Sequence, residues 1–76
     1  MMLFLIEYDR TRGEIVTLRG FDDGESKSAQ KARLEMELDL NRRGVEREVV
    51  ILEAENEEAL RRTHRRYFED LAQLVS

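Results

Sequence analysis

The segment EALRRTHRRYFED, residues 58–70, gathers Arg61, Arg62, Arg65 and Arg66, the single histidine of the chain, His64, and Tyr67. Three roles are open to such a set. Clustered guanidinium forks suit phosphates and carboxylates. A histidine near a tyrosine suits proton transfer. The polar side of a helix needs neither. Helical spacing helps to separate these roles. At about 100° per residue, Leu60, Thr63, His64, Tyr67, Leu71, Leu74 and Val75 fall in one stripe with Phe68 at its edge, while the four arginines fall together on the opposite side. The plain reading of the arginines is a solvated face.

The alternative is nucleic-acid or anionic-ligand binding through Arg61, Arg62, Arg65 and Arg66, extended by Arg42 and Arg43. Two features weigh against it. Acids stand at helical spacing to pair with the same arginines: Glu57 with Arg61, Glu58 with Arg62, Arg65 with Glu69, and Arg66 with Asp70. No aromatic residues interleave with the basic side, as a single-strand binder requires. His64 lies in the apolar stripe, where a hydrogen-bonded boundary histidine is the ordinary case. A general base also needs an orienting partner and a pocket, so no catalytic residue is assigned.

Other constellations are weaker. Glu35, Glu37 and Asp39 are spaced by two, which on a helix points them apart. EAENEE, residues 53–58, lacks the pattern of a calcium loop. There is no glycine-rich phosphate loop, nucleophile elbow or HExxH. With no cysteine and one histidine, neither a disulfide nor a structural zinc site is expected. No cofactor or metal is expected either, and the chain reads as non-enzymatic. An enzyme built across a dimer interface has no particular residue in its favour.

These residues must be positioned by a small frame. The 76 residues make one domain, 1–76. A chain of this size buries only about 60% of its unfolded surface, so further burial must come from regular packing or from a partner. Regularity is favoured by the absence of proline and by only 4 glycines. Charged residues make up 39% and hydrophobic residues 41%, which is the folded class. The net charge of −4 argues against non-specific nucleic-acid binding. The opening MMLFLIEYDR has too short an apolar run for a signal peptide, and no stretch approaches a membrane span. The expected setting is the cytoplasm, away from membranes.

Residues 2–8 read as a strand with Leu3 and Leu5 on one face and Phe4, Ile6 and Tyr8 on the other; a strand apolar on both faces is a central one. DRTRG, residues 9–13, is a turn, with Gly13 free to take a positive φ. Residues 14–21 form the second strand, with Val16 and Leu18 opposite Ile15, Thr17 and Arg19. Residues 34–40 alternate apolar and acidic residues like a strand. Yet residues 26–43 are nearly all helix formers, contain no β-branched residue, and end in Arg42, Arg43 and Gly44. The spacing predicts a helix over 26–43, with Ala29, Ala32, Met36 and Leu40 as its main stripe. Residues 45–55 are a third strand, and Asn56 caps a last helix running to about residue 75.

The expected fold is α+β: a two-layer ββαβα sandwich in which a three-stranded mixed sheet of order 2-1-3 carries two helices. Its expected core comprises Phe4 or Leu5, Val16 or Leu18, Ile51 or Leu52, Met36 and Leu71. Leu34 and Leu38 lie on the first helix opposite its main stripe. Two helices on one sheet face would leave the other face bare. Together these surplus apolar surfaces predict a homodimer with Leu34 and Leu38 at the contact. The favoured reading is a small protein-interaction domain that pairs with a second copy, another protein being a further partner open to it.

Overall fold

The protein is described by a computed structural model covering residues 1–68. It contains β1 (Met2–Asp9), β2 (Glu14–Phe21), α1 (Ser26–Arg43), β3 (Glu48–Ala54) and α2 (Glu57–Thr63), with 3-10 turns at Asp23–Glu25 and Arg65–Tyr67. The strand order is β2-β1-β3, as expected from the apolar character of β1. β1 pairs antiparallel with both neighbours. β2 and β3 therefore point the same way, as a helical crossover demands. Because β1 separates them, no neighbouring pair is parallel, and the sheet is antiparallel throughout rather than mixed.

The connection between β1 and β2 is fixed by side chain and backbone together. The Asp9 carboxylate accepts from the N–H groups of Thr11 and Arg12, each at 3.0 Å, the pattern of an Asx turn. Gly13 takes φ 68° and donates its N–H to the Asp9 carbonyl at 2.8 Å. Further on, α1 spans the residues predicted, so helix propensity prevailed over the strand-like alternation of residues 34–40. Gly44 ends it at φ 68°, a left-handed position that favours glycine, and the Val45 N–H donates to the Leu40 carbonyl at 2.9 Å.

The two helices lie on opposite faces of the sheet, so the fold has three layers, not two. Leu5, Phe21 and Ala29 form one core cluster with Leu3, Ala32, Met36, Val49 and Ile51 packed on it. This is the α1 side. Phe4, Ile6, Tyr8, Ala54, Leu60 and Tyr67 form the other, joined by Val50, Leu52 and Phe68. The reason lies in β1. Successive strand side chains alternate in direction, and Phe4, Leu5, Ile6 and Tyr8 are all buried, so cover is needed on both sides. The strand faces read from the sequence for β1 match these clusters, and β3 alternates in the same way, with Val49 and Ile51 on the α1 side and Val50, Leu52 and Ala54 on the other.

β2 departs from its predicted phase. Its pairing with β1 shifts register between Glu7 and Tyr8: Glu7 faces Thr17, but Tyr8 faces Ile15. Val16 is the extra residue of this bulge and is exposed, whereas Ile15 packs beside Leu18 against the Phe4–Ile6–Tyr8 cluster. A bulge inserts one residue and so reverses the alternation beyond it. Ile15 and Leu18 thus share a face, which strict alternation had denied.

α2 begins as predicted. The Asn56 side chain accepts from the Ala59 N–H at 2.8 Å, and Leu60 is fully buried. It ends at Thr63, however, rather than continuing to about residue 75. The Thr63 hydroxyl donates back to the Ala59 carbonyl at 2.9 Å, a contact that bends helices, and the backbone leaves the helix at His64 (φ −123°, ψ 53°). The remainder of the predicted helix, with Leu71, Leu74 and Val75, lies outside the described residues. No helix among the described residues is long and apolar enough to cross a membrane.

Candidate functional site

The break at His64 redistributes the arginines. Arg66 turns back onto the sheet, where its Nη2 donates to both Glu48 oxygens at 3.0 and 2.8 Å and to the Tyr67 hydroxyl at 2.7 Å. Its guanidinium stands 4.3 Å from the Tyr67 ring centroid and 5.9 Å from that of Tyr8. The two tyrosine rings meet edge to face at 5.0 Å, and the Tyr8 hydroxyl donates to the Arg66 carbonyl at 3.4 Å. Arg10 adds a second donor to Glu48 at 3.0 Å. Tyr8 and Glu48 are cross-strand partners in the β1–β3 ladder, so the sheet register itself places the ring beside the acid. Arg66 is thus engaged by Glu48; its expected partner Asp70 lies outside the described residues, as does Glu69, assigned to Arg65.

The electrostatics of this cluster indicate its role. Burial pushes the Glu48 carboxyl up, but hydrogen bonds from Arg10, Tyr67 and Arg66 outweigh it, and the group titrates below the ordinary carboxylate range. Burial, together with the neighbouring Glu48 carboxylate, holds the Tyr67 hydroxyl above the ordinary tyrosine range. Arg66 is raised as well: burial opposes its charge, and Glu48 more than compensates. Near neutrality the acid stays ionised and the phenol stays protonated. A proton-transfer pair requires groups titrating near the working pH, and these are moved away from it. The cluster is a clamp holding the segment after α2 against the end of the sheet.

A second polar group sits on the other face. Glu7, on the central strand, is the one buried acid among the described residues. Its carboxylate accepts from the Thr17 hydroxyl at 2.8 Å and from Arg47, linking β1, β2 and the segment entering β3. Between the two clusters Arg10, Thr11, Glu46, Arg47 and Glu48 line a recess of about 210 Å³, below the roughly 300–1,000 Å³ of small-molecule sites. Both of its arginines already hold carboxylates. Among the described residues, every buried side-chain nitrogen or oxygen has a hydrogen-bond partner, and no group of three His, Cys, Asp or Glu side chains could hold a metal ion.

The remaining predicted residues are placed as follows. Arg61, Arg62 and Arg65 stay together, lining a shallow depression with Glu58 and Phe68. Arg61 lies 3.7 Å from Glu57, as the spacing predicted, and its guanidinium covers the Phe68 ring at 4.6 Å. An aromatic thus does stand beside these arginines, because the helix break brings Phe68 round from the stripe edge. Arg42 and Arg43 pair with Asp39 at 3.5 and 3.0 Å. His64 is half-buried and closes α2 through its backbone, donating to the Leu60 carbonyl at 2.9 Å. Leu34 and Leu38 are 55% and 56% exposed.

Two features escaped the sequence reading. Glu7 was detectable as the lone acid inside the apolar strand MLFLIEY, which requires a buried partner. The Glu48 cluster was not, because it depends on the break at His64. Comparison with protein-family models, with curated proteins and with solved structures returned no match.

Proposed function

We propose that this chain is a non-enzymatic protein-interaction domain of the cytoplasm that pairs with a second copy of itself. The self-pairing is carried by β3, whose Val49, Val50, Ile51 and Leu52 stay only partly buried at an edge of the described sheet; the outward side of α1 is a separate surface, open to another protein. Leu34 and Leu38, one turn apart, are each more than half exposed, while the other side of the helix is occupied by the sheet. Single exposed leucines are ordinary, but two at helical spacing form an apolar stripe suited to another protein. The polar clusters support the same reading, since their carboxylates are engaged by arginines and, in the Glu48 cluster, titration is moved away from neutrality. Sedimentation velocity from nanomolar to high micromolar concentration tests the pairing: a shift from monomer to dimer is expected, and a monomer throughout refutes it.

The depression of Arg61, Arg62, Arg65 and Phe68 supports a second reading, binding of a nucleic acid or anionic ligand. It is the weaker one, because Arg66 is engaged by Glu48 and Arg61 by Glu57. Titration with mixed RNA and DNA separates the two readings. Binding that weakens steeply with salt and is lost in Arg62→Glu would promote the second.

A further inference from the structure

We infer that the second copy pairs along β3, edge to edge, joining two three-stranded sheets into one antiparallel six-stranded sheet about a two-fold axis at Ile51; this rests on the self-association proposed above. The sheet has two edges, and the sequence treats them differently. An edge strand exposes unpaired N–H and C=O groups that invite another strand, and proteins guard such edges with bulges, prolines and charges, especially basic ones. β2 is guarded, carrying the bulge at Val16 and the exposed Glu14 and Arg19. β3 is not. It pairs with β1 over seven positions without a register shift, it holds Val49, Val50, Ile51 and Leu52 in succession, and it contains no proline, lysine or arginine. Although helices cover both faces of the sheet, those four residues remain only partly buried. Among the described residues, no strand pairs with the outer side of β3.

The register argues for a second copy. Ile51 is the midpoint of Glu48–Ala54, so a two-fold axis there pairs the whole strand with itself. Ile51 then faces Ile51, Val50 faces Leu52, Val49 faces Glu53 and Glu48 faces Ala54. No carboxylate faces another, and beyond the strand Arg47 comes opposite Glu55. α1 packs over both β1 and β3. With strands about 4.8 Å apart, and with α1 also reaching Phe21 of β2, the two α1 helices would stand roughly 10–13 Å apart on one face, at or just beyond a helix-packing distance. That adds area to the seam. The stripe of Leu34 and Leu38 points away from the sheet and stays outside the seam; two half-exposed leucines are far short of the roughly 800 Å² per partner of a stable interface.

The test is residue-resolved amide hydrogen exchange on the wild-type protein, at a concentration where it sediments as a dimer and again after dilution. In β3 alternate N–H groups point away from β1. At dimer concentration these should exchange at least about tenfold more slowly than the outer amides of β2, and should lose that protection on dilution. Leu34→Lys combined with Leu38→Lys should leave the dimer intact. Outer β3 amides that exchange as fast as those of β2 in a dimer would overturn the seam, as would a dimer lost in the double leucine variant; self-association would stand in both cases. Protection that persists in a monomer would mean the edge is filled from within the chain, and would also overturn it. A wild-type monomer at every concentration removes both the seam and the proposed pairing.

Discussion

Replacing Arg47 with methionine removes the charged partner of Glu7 while keeping an apolar stem of similar length. Glu7 is 6% exposed and sits on the central strand, so its carboxylate has little access to water. It would retain one neutral donor, the Thr17 hydroxyl at 2.8 Å. Breaking a fully buried ion pair by removing one partner costs about 3–5 kcal/mol. The Arg47 side chain is 24% exposed, so solvent already screens part of the interaction, and about 2–3 kcal/mol is the better figure for this site. A domain of this length has a total stability of roughly 4–11 kcal/mol, so the variant should lose a large share of it and melt roughly 10–20 °C lower.

The partner variants show which term dominates. In Glu7→Leu the stranded arginine can reach water, so the loss should be about 1 kcal/mol. In the double variant no buried charge remains, and stability should return close to wild type, since a buried pair replaced by apolar residues is often neutral. Urea unfolding of all four proteins at neutral pH gives the coupling energy, provided the m-values agree. An Arg47→Met loss within about 0.5 kcal/mol of zero, the range of ordinary surface changes, would refute the reasoning. So would a double variant no more stable than Arg47→Met.

Leu60 is the only buried residue of α2; Leu60→Ala should cost about 3–5 kcal/mol in the same assay, with early loss of amide protection in α2. The Glu48 cluster should shape both ends of the pH–stability curve. The folded pKa of Glu48 is depressed, so its contribution is complete above the unfolded value and falls away as pH drops below about 4; Glu48→Gln should flatten that acid limb in thermal melts. The folded pKa of Tyr67 is raised, so its contribution is present at neutral pH and declines as pH rises past about 10, and Tyr67→Phe should flatten the alkaline limb. Arg62→Glu should leave stability within about 0.5 kcal/mol of wild type, whereas Arg66→Glu sets a carboxylate against Glu48 and should destabilise by about 1–2 kcal/mol in urea titrations.

How much of this was legible in the sequence depended on whether the cause was local. The helix over residues 26–43 was readable because its evidence lay within the segment: helix formers, no β-branched residue, and Gly44 at the end. The hairpin turn was readable for the same reason, Asp9 and Gly13 each supplying its own geometry. The bulge was not. Ile15, Val16 and Thr17 are all β-branched, and the sequence contains no signal for which one is the extra residue; the choice is made by Leu18 and Ile15 both finding the Phe4–Ile6–Tyr8 face. The four-arginine face failed for a related reason. Helical periodicity extends correctly only while the helix continues, and beyond its end at Thr63 Arg66 and Tyr67 meet Glu48 and Tyr8 instead. The candidate anion surface thus lost Arg66 to a residue eighteen positions away, while its other members kept the neighbourhood that spacing gave them.

The helices straddling the sheet change where a partner is needed. Had both packed on one face, the other side of β1 would lie open, and a second copy would be required to cover Phe4, Ile6 and Tyr8. Instead those residues are buried within one chain, so the faces no longer motivate a dimer. A three-stranded sheet still has two edges, and closing its faces does nothing for them. Helices placed above and below β3 shield its side chains, but among the described residues no strand pairs with its outward backbone groups, which is the condition that favours another strand over another face. The thin core expected of so short a chain therefore points to lateral growth. In a six-stranded sheet the former edge becomes interior, and Val49, Val50, Ile51 and Leu52 gain strand neighbours on both sides. The apolar run of β3, excessive for an edge, then has the composition of a central strand.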